Sequence, residues 1–140
     1  MAAEKIMLTV EAVINAPVNK VWDCWTNPQH ITQWNYASDD WHCPSASNNT
    51  VAGGIFSATM AAKDGSFSFE FGGVHDDVKE NEWIASTMGD GRKMKVVFSA
   101  NANKTIVTEN FEAEGMNPVE MQQAGWQAIL NNFKKYTESV

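Results

Sequence analysis

At 140 residues, 44% apolar and 19% charged, the chain has enough material for one hydrophobic core and reads as an ordinary globular protein, one domain over residues 1–140. Ten basic against seventeen acidic side chains leave a formal net charge of −7, the wrong balance for gripping nucleic-acid phosphates or an anionic membrane. No apolar run approaches the roughly eighteen residues that span a bilayer, and the two cysteines, Cys24 and Cys43, set no disulfide framework.

Met1–Lys5 lack the basic stretch and apolar core of a signal sequence, so a cytoplasmic location is expected. Ile6, Leu8, Val10, Ala12 and Ile14 then alternate with Met7, Thr9, Glu11 and Val13, the period of a strand. Both sets are fairly apolar, which predicts a strand paired centrally in its sheet. Pro17 opens a helix with Val18, Val21, Trp22 and Trp25 on one face, and Asn27-Pro28 restarts the chain into a second short helix burying Ile31 and Trp34. From Asn35 periodicity fails: Trp41 to Cys43 predict a short strand, and Ser45 to Thr50 a polar loop.

From Gly53 the chain becomes strands separated by turn signals. Phe56, Ala58 and Met60 alternate up to a Lys63-Asp64-Gly65 turn, and Phe67, Phe69 and Phe71 alternate up to Gly72-Gly73, a pair that predicts a bulge or sharp curvature. Further turns at Val78–Asn81, Gly89-Asp90-Gly91 and Asn101–Lys104 separate Trp83–Met88, Met94–Ala100 and Thr105–Ala113.

The final segment, Asn117 to Tyr136, is a long helix. Asn117 reads as its cap, Pro118 as its first residue and Glu120 as the capping-box partner. Met121, Gly125, Ala128, Ile129, Phe133 and Tyr136 make an apolar stripe widened by Trp126 and Leu130, and Lys134 and Lys135 fall in the last turn, where the helix dipole favours positive charge. Such a helix reaches about 30 Å, and its broad apolar face needs a wall. The order strand, two helices, six antiparallel strands and one long helix therefore predicts an α+β fold, a curved sheet wrapped on one face by helices.

Space between helix and sheet decides the function. Trp34, Trp41, Phe67, Phe69, Phe71 and Phe98, with Met60, Met88, Met94 and Met121 and with Gly125 on the inward helical stripe, suit the wall of an apolar pocket. The same residues also suit a core packed solid, and periodicity satisfies both alternatives. Glu109 shares a strand face with Val107 and Phe111, where a buried carboxyl would have a raised pKa or a partner, and His75, on the face of Phe67, Phe69 and Phe71, is placed to be that partner. Charged residues are seldom fully buried, so a sheet-edge Glu109 left in water is the simpler expectation. His42 and Cys43 are adjacent on a strand and point to opposite faces, no metal-binding spacing exists, and neither a nucleophile elbow nor a phosphate loop is present. No catalytic residue, metal or cofactor is assigned, and binding rather than catalysis is expected.

Ala16-Pro17-Val18, Val21-Trp22, Trp25-Thr26, Pro28, His30, Gln33-Trp34, Gly53-Gly54, Phe56, Asp64-Gly65 and Gly125-Trp126 with Leu130, Phe133 and Tyr136 follow a known order and spacing. From about Leu8 to Glu138 the chain resembles the bacterial proteins named for homology to the activator of Hsp90 ATPase, in the START-like, Bet v 1-like superfamily. The resemblance implies a helix-grip fold, β-α-α-β6-α, with the last helix across a seven-stranded sheet. It also implies an apolar ligand between helix and sheet, with two alternatives: co-chaperone docking on an Hsp90-type partner, or a cyclase- or hydrolase-type reaction in the same cavity. For such a reaction the residues themselves offer Glu109 or His75 as general base. Asn35 stands where many members carry a second Trp, and these 140 residues do not include the separate N-terminal domain of the eukaryotic co-chaperones.

Overall fold

The computed structural model describes residues 6–140; Met1–Lys5, read above for a signal sequence, lie outside the described residues. The elements are β1 (Met7–Ile14), α1 (Val18–Thr26), α2 (Pro28–Trp34), β2 (Trp41–Asn48), β3 (Ile55–Ala62), β4 (Ser68–Lys79), β5 (Trp83–Met88), β6 (Lys93–Asn101), β7 (Lys104–Glu112) and α3 (Val119–Ser139). All seven strands join one antiparallel, curved sheet in the order β1-β7-β6-β5-β4-β3-β2. This is the α+β architecture the residue order predicts, and the helix-grip fold that the resemblance implies.

The consecutive hairpins arise where turn chemistry demands them. Gly65 and Gly91 take positive φ angles of 78° and 93°, and the Asp64 and Asp90 side chains accept hydrogen bonds from the backbone two residues on. Gly72 and Gly73 serve close approach rather than a bulge: a Cβ on Gly73 would lie 2.1 Å from the Thr87 carbonyl oxygen, and one on Gly72 2.4 Å from that of Phe56. The β4 bulge falls two residues later, between His75 and Asp77. There the strand changes register and His75 is kept on the inner face.

Several boundaries differ from expectation, three of them in β2 and α3. β2 runs on through Ser45–Asn48, because Ser45, Ala46, Ser47 and Asn48 pair with β3 past an irregularity at Pro44; polar composition hid a strand that is satisfied by its partner. α3 begins one residue late, with Pro118 as its cap and no capping box. The Gln122 side chain instead ties down the loop before the helix, accepting from the Glu114 N–H at 2.8 Å and donating to the Asn117 carbonyl at 2.8 Å. α3 also continues to Ser139, so Lys134 and Lys135 are not in its last turn.

β1 is an edge strand, not a central one. Its free backbone is bound by side chains of α3: Gln123 donates to the Thr9 carbonyl at 3.1 Å, Gln127 to that of Glu11 at 3.1 Å and Lys134 to that of Val13 at 2.6 Å, while Glu138 accepts from the Asn15 N–H at 2.7 Å. Four helical residues rise about 6 Å and two strand residues about 6.7 Å. The steps from Gln123 to Gln127 and from Lys134 to Glu138 therefore stay nearly in step with the strand, whereas the seven-residue step from Gln127 to Lys134 between them does not.

The core lies between α3 and the β1–β7–β6 side of the sheet. Phe133 is its centre, edge-on to both Trp25 and Trp34 at 4.9 Å, and those two indoles stack on each other at 5.0 Å. Phe98 closes the far side against Trp22 and Trp25. Towards β2, β3 and β4 the helix and sheet diverge.

Candidate functional site

The divergence leaves a cavity of about 360 Å³, within the size range of small-molecule sites. α1 and α2 contribute Trp25, Ile31, Trp34 and Asn35; α3 contributes Gln122, Trp126 and Ile129. On the sheet side stand Phe56, Ala58 and Met60 of β3, Phe69 and Phe71 of β4, Ile84 of β5, and Met94 and Val96 of β6. Trp126 is held by stacking on Phe111 at 3.8 Å, with its plane edge-on to Phe71 at 6.0 Å, so it roofs the cavity in one orientation. Phe69 is half in water and marks the mouth.

Of the sequence-predicted wall, Trp34, Met60, Phe69, Phe71, His75, Met94 and Glu109 come together around this space. Five others do not. Phe98 is spent in the aromatic core against Trp22 and Trp25. Met88 is buried at the hairpin end of β5, beyond the lining residue Ser86. Trp41 packs on Phe67 and Phe69 outside the mouth. Met121 is turned to water, 62% exposed, because the inward face of α3 at that turn belongs to Gln122. Gly125 sits beside the lining residues of α3 without joining them, and nothing lies within 4 Å of where its side chain would start.

The polar lining was largely unforeseen. Ser86 alternates with Ile84 and Met88, a parity that would have found it; Asn48 was concealed in the stretch read as loop. Together they bind His75. Its Nδ1 lies 2.8 Å from the Ser86 hydroxyl and its Nε2 2.7 Å from Asn48 Oδ1, while Asn48 Nδ2 donates to the Thr26 carbonyl at 2.9 Å. The amide's orientation towards Thr26 leaves its oxygen for the ring, so Nε2 carries the proton and Nδ1 accepts from Ser86. Burial lowers the His75 pKa and keeps the ring neutral. Both nitrogens are thus committed, and the expected pairing of His75 with Glu109 is absent.

Glu109 overturns the expectation of a solvated edge residue. β7 is flanked by β1 and β6, and the Glu109 side chain faces inward beneath the helices, 5% exposed. Burial alone pushes its pKa up to about 8, so at neutral pH it is a carboxylic acid rather than a carboxylate. At the end near the start of α3 the lining turns polar with Arg92, Glu114, Asn117 and Gln122. Arg92 is held by Asp90 at 2.7 Å and by the Glu112 carbonyl at 3.2 Å. Asn35 also borders the cavity, and an amide there fills less space than an indole would. Among the described residues no group of three or more His, Cys, Asp and Glu is placed to hold a metal ion, and no helix is long and apolar enough to cross a membrane.

The family described as activator of Hsp90 ATPase homolog 1-like protein matches residues 15–138. An AHSA1-like protein of Aeromonas hydrophila, solved by NMR, is 41% identical and superposes with a TM-score of 0.90 over 96% of this chain and 93% of that one. A Cytophaga hutchinsonii protein is 54% identical, with a TM-score of 0.80 over 94% and 91% of the two chains. At 18% identity, a Chromobacterium violaceum protein shares the fold, with a TM-score of 0.85 over 95% and 98%. A comparison with curated proteins finds no match.

Proposed function

For a chain that belongs to the activator of Hsp90 ATPase homolog 1-like family, we propose binding of a small, largely apolar molecule between α3 and the curved sheet. The observation that carries this reading is the cavity of about 360 Å³ under Trp126, walled mainly by aromatic and aliphatic side chains. Burying an apolar guest there gains about 25 cal/mol per Å² removed from water. Rigid rings from both the helices and the sheet supply shape, and Met60 and Met94 on the sheet supply adaptability. Catalysis has less support, because the one imidazole at the site has both nitrogens engaged.

Titration of the delipidated protein with the neutral fluorophore N-phenyl-1-naphthylamine, followed by competition with a lipid panel, tests the reading. Saturable binding and a rise in Tm are expected; ligand at a hundred times its Kd stabilises by about 2.7 kcal/mol. Ala58→Phe, which puts a ring into the hollow, is expected to weaken binding at least tenfold while the protein stays folded. Absence of saturable binding by any probe would remove the proposal. Docking on an Hsp90-type chaperone is supported by the family's description alone. Pull-down with the host's Hsp90 and an ATPase assay decide it, and failure of both ends that alternative.

A further inference from the structure

Resting on the ligand-binding reading above, the question is which chemistry the cavity selects. Four titratable side chains border it: His75 on β4, Arg92 after β5, Glu109 on β7 and Glu114 beyond β7. Three are occupied. His75 is bound at both nitrogens by Ser86 and Asn48. Arg92 is bound by Asp90 and the Glu112 carbonyl. The Glu114 carboxylate accepts from the Asn117 N–H at 2.6 Å. The lining residues of α1, α2 and α3 carry no charge, and Val10 and Val96 are Glu109's neighbours on β1 and β6. Among the described residues, the Glu109 carboxyl makes no hydrogen bond or ion pair, although it is 95% buried by its 5% exposure. A buried polar group left without a partner is costly, and this one opens onto a cavity.

We infer that the Glu109 carboxyl is the anchor of the site, donating a hydrogen bond from its acid form to a carbonyl or ether oxygen of an otherwise apolar, uncharged guest. The geometry favours a neutral acceptor over a cation. The surroundings of Glu109 are aliphatic and aromatic, and an ammonium would enter them stripped of water with one carboxylate to face it. A carboxylate guest would meet no free cation there, since Arg92 is engaged at the polar end. Proton loss from Glu109 as pH rises through about 8 removes the donor, so selectivity for the acceptor oxygen disappears in alkali. His75, neutral and hydrogen-bonded, adds no charge over that range.

Three probes of one shape test this on the intact chain: 1-tetralone, tetralin and 1-aminotetralin, the first two differing by one carbonyl and the last cationic at pH 6.5. Binding is read by NMR from the indole N–H signals of Trp25, Trp34 and Trp126. At pH 6.5 the ketone is expected to bind roughly tenfold tighter than the hydrocarbon, the worth of one good hydrogen bond. That ratio should fall towards one by pH 9.5. Glu109→Leu should abolish it at both pH values, whereas Glu109→Gln, which keeps a donor that does not titrate, should retain it at both. Equal binding of ketone and hydrocarbon in the wild type overturns the inference and leaves the cavity reading standing. Tightest binding of the amine also overturns it, making Glu109 a counter-ion. No binding by any of the three, nor by the naphthylamine dye, overturns both.

Discussion

Between pH 5 and pH 9 the Glu109→Gln variant is expected to gain stability over the wild type by an amount that grows with pH to several kcal/mol. In the unfolded chain Glu109 releases its proton near the ordinary value of 4.5; in the folded chain burial holds the proton until about pH 8. Below 4.5 both states are protonated and burial of the acid carries no ionic penalty. Between the two values the folded state binds one more proton than the unfolded state, so stability falls by about 1.4 kcal/mol per pH unit. The accumulated loss above pH 8 is on the order of 5 kcal/mol, and then levels off. His75 acts the other way at the acid end: burial lowers its pKa, so stability is lost as pH falls below 6.5. Urea unfolding of both proteins at pH 5, 7 and 9 isolates Glu109, because His75 is common to the pair. Parallel pH profiles would mean that Glu109 is ionised in the folded protein.

Phe133→Ala is expected to cost about 3–5 kcal/mol, a large share of the stability of an ordinary domain. Phe133 is fully buried and is the one α3 side chain that touches the Trp25–Trp34 stack edge-on from both rings. The hole left by its ring is bounded by indoles that already hold each other at 5.0 Å and have limited room to collapse. Met121→Ala on the same helix, at an exposed position, should change stability by less than about 0.5 kcal/mol. Denaturant midpoints for the two variants check this; similar losses would mean that α3 is not held by its inward face.

Element order, strand parity and the long final helix were legible because each follows from local rules. Period two, turn residues such as Asp64-Gly65, and the spacing of Leu130 and Phe133 need no knowledge of neighbours. The errors came where a partner decides. Polar Ser45–Asn48 became strand because β3 supplies its hydrogen bonds, and apolar-looking β1 became an edge because α3 covers its backbone. Glu109 could be placed on the inward face, but its burial depended on β7 having a strand on each side. For the cavity wall, residue type separated apolar from polar and could not separate lining from core. Phe71 borders the space and Phe98 fills the seam, yet both are inward phenylalanines on strands of one sheet.

The helical side chains that bind the backbone of β1 tie two liabilities together. A raw sheet border invites a sister molecule to extend it, and here Gln123, Gln127, Lys134 and Glu138 hem that border from within the same chain. The helix that does the hemming is also the roof of the hollow. If a guest is bound there as proposed, exchange by lifting this roof would also unstitch the hem and bare the β1 border for pairing, whereas passage at the Phe69 end keeps every stitch in place.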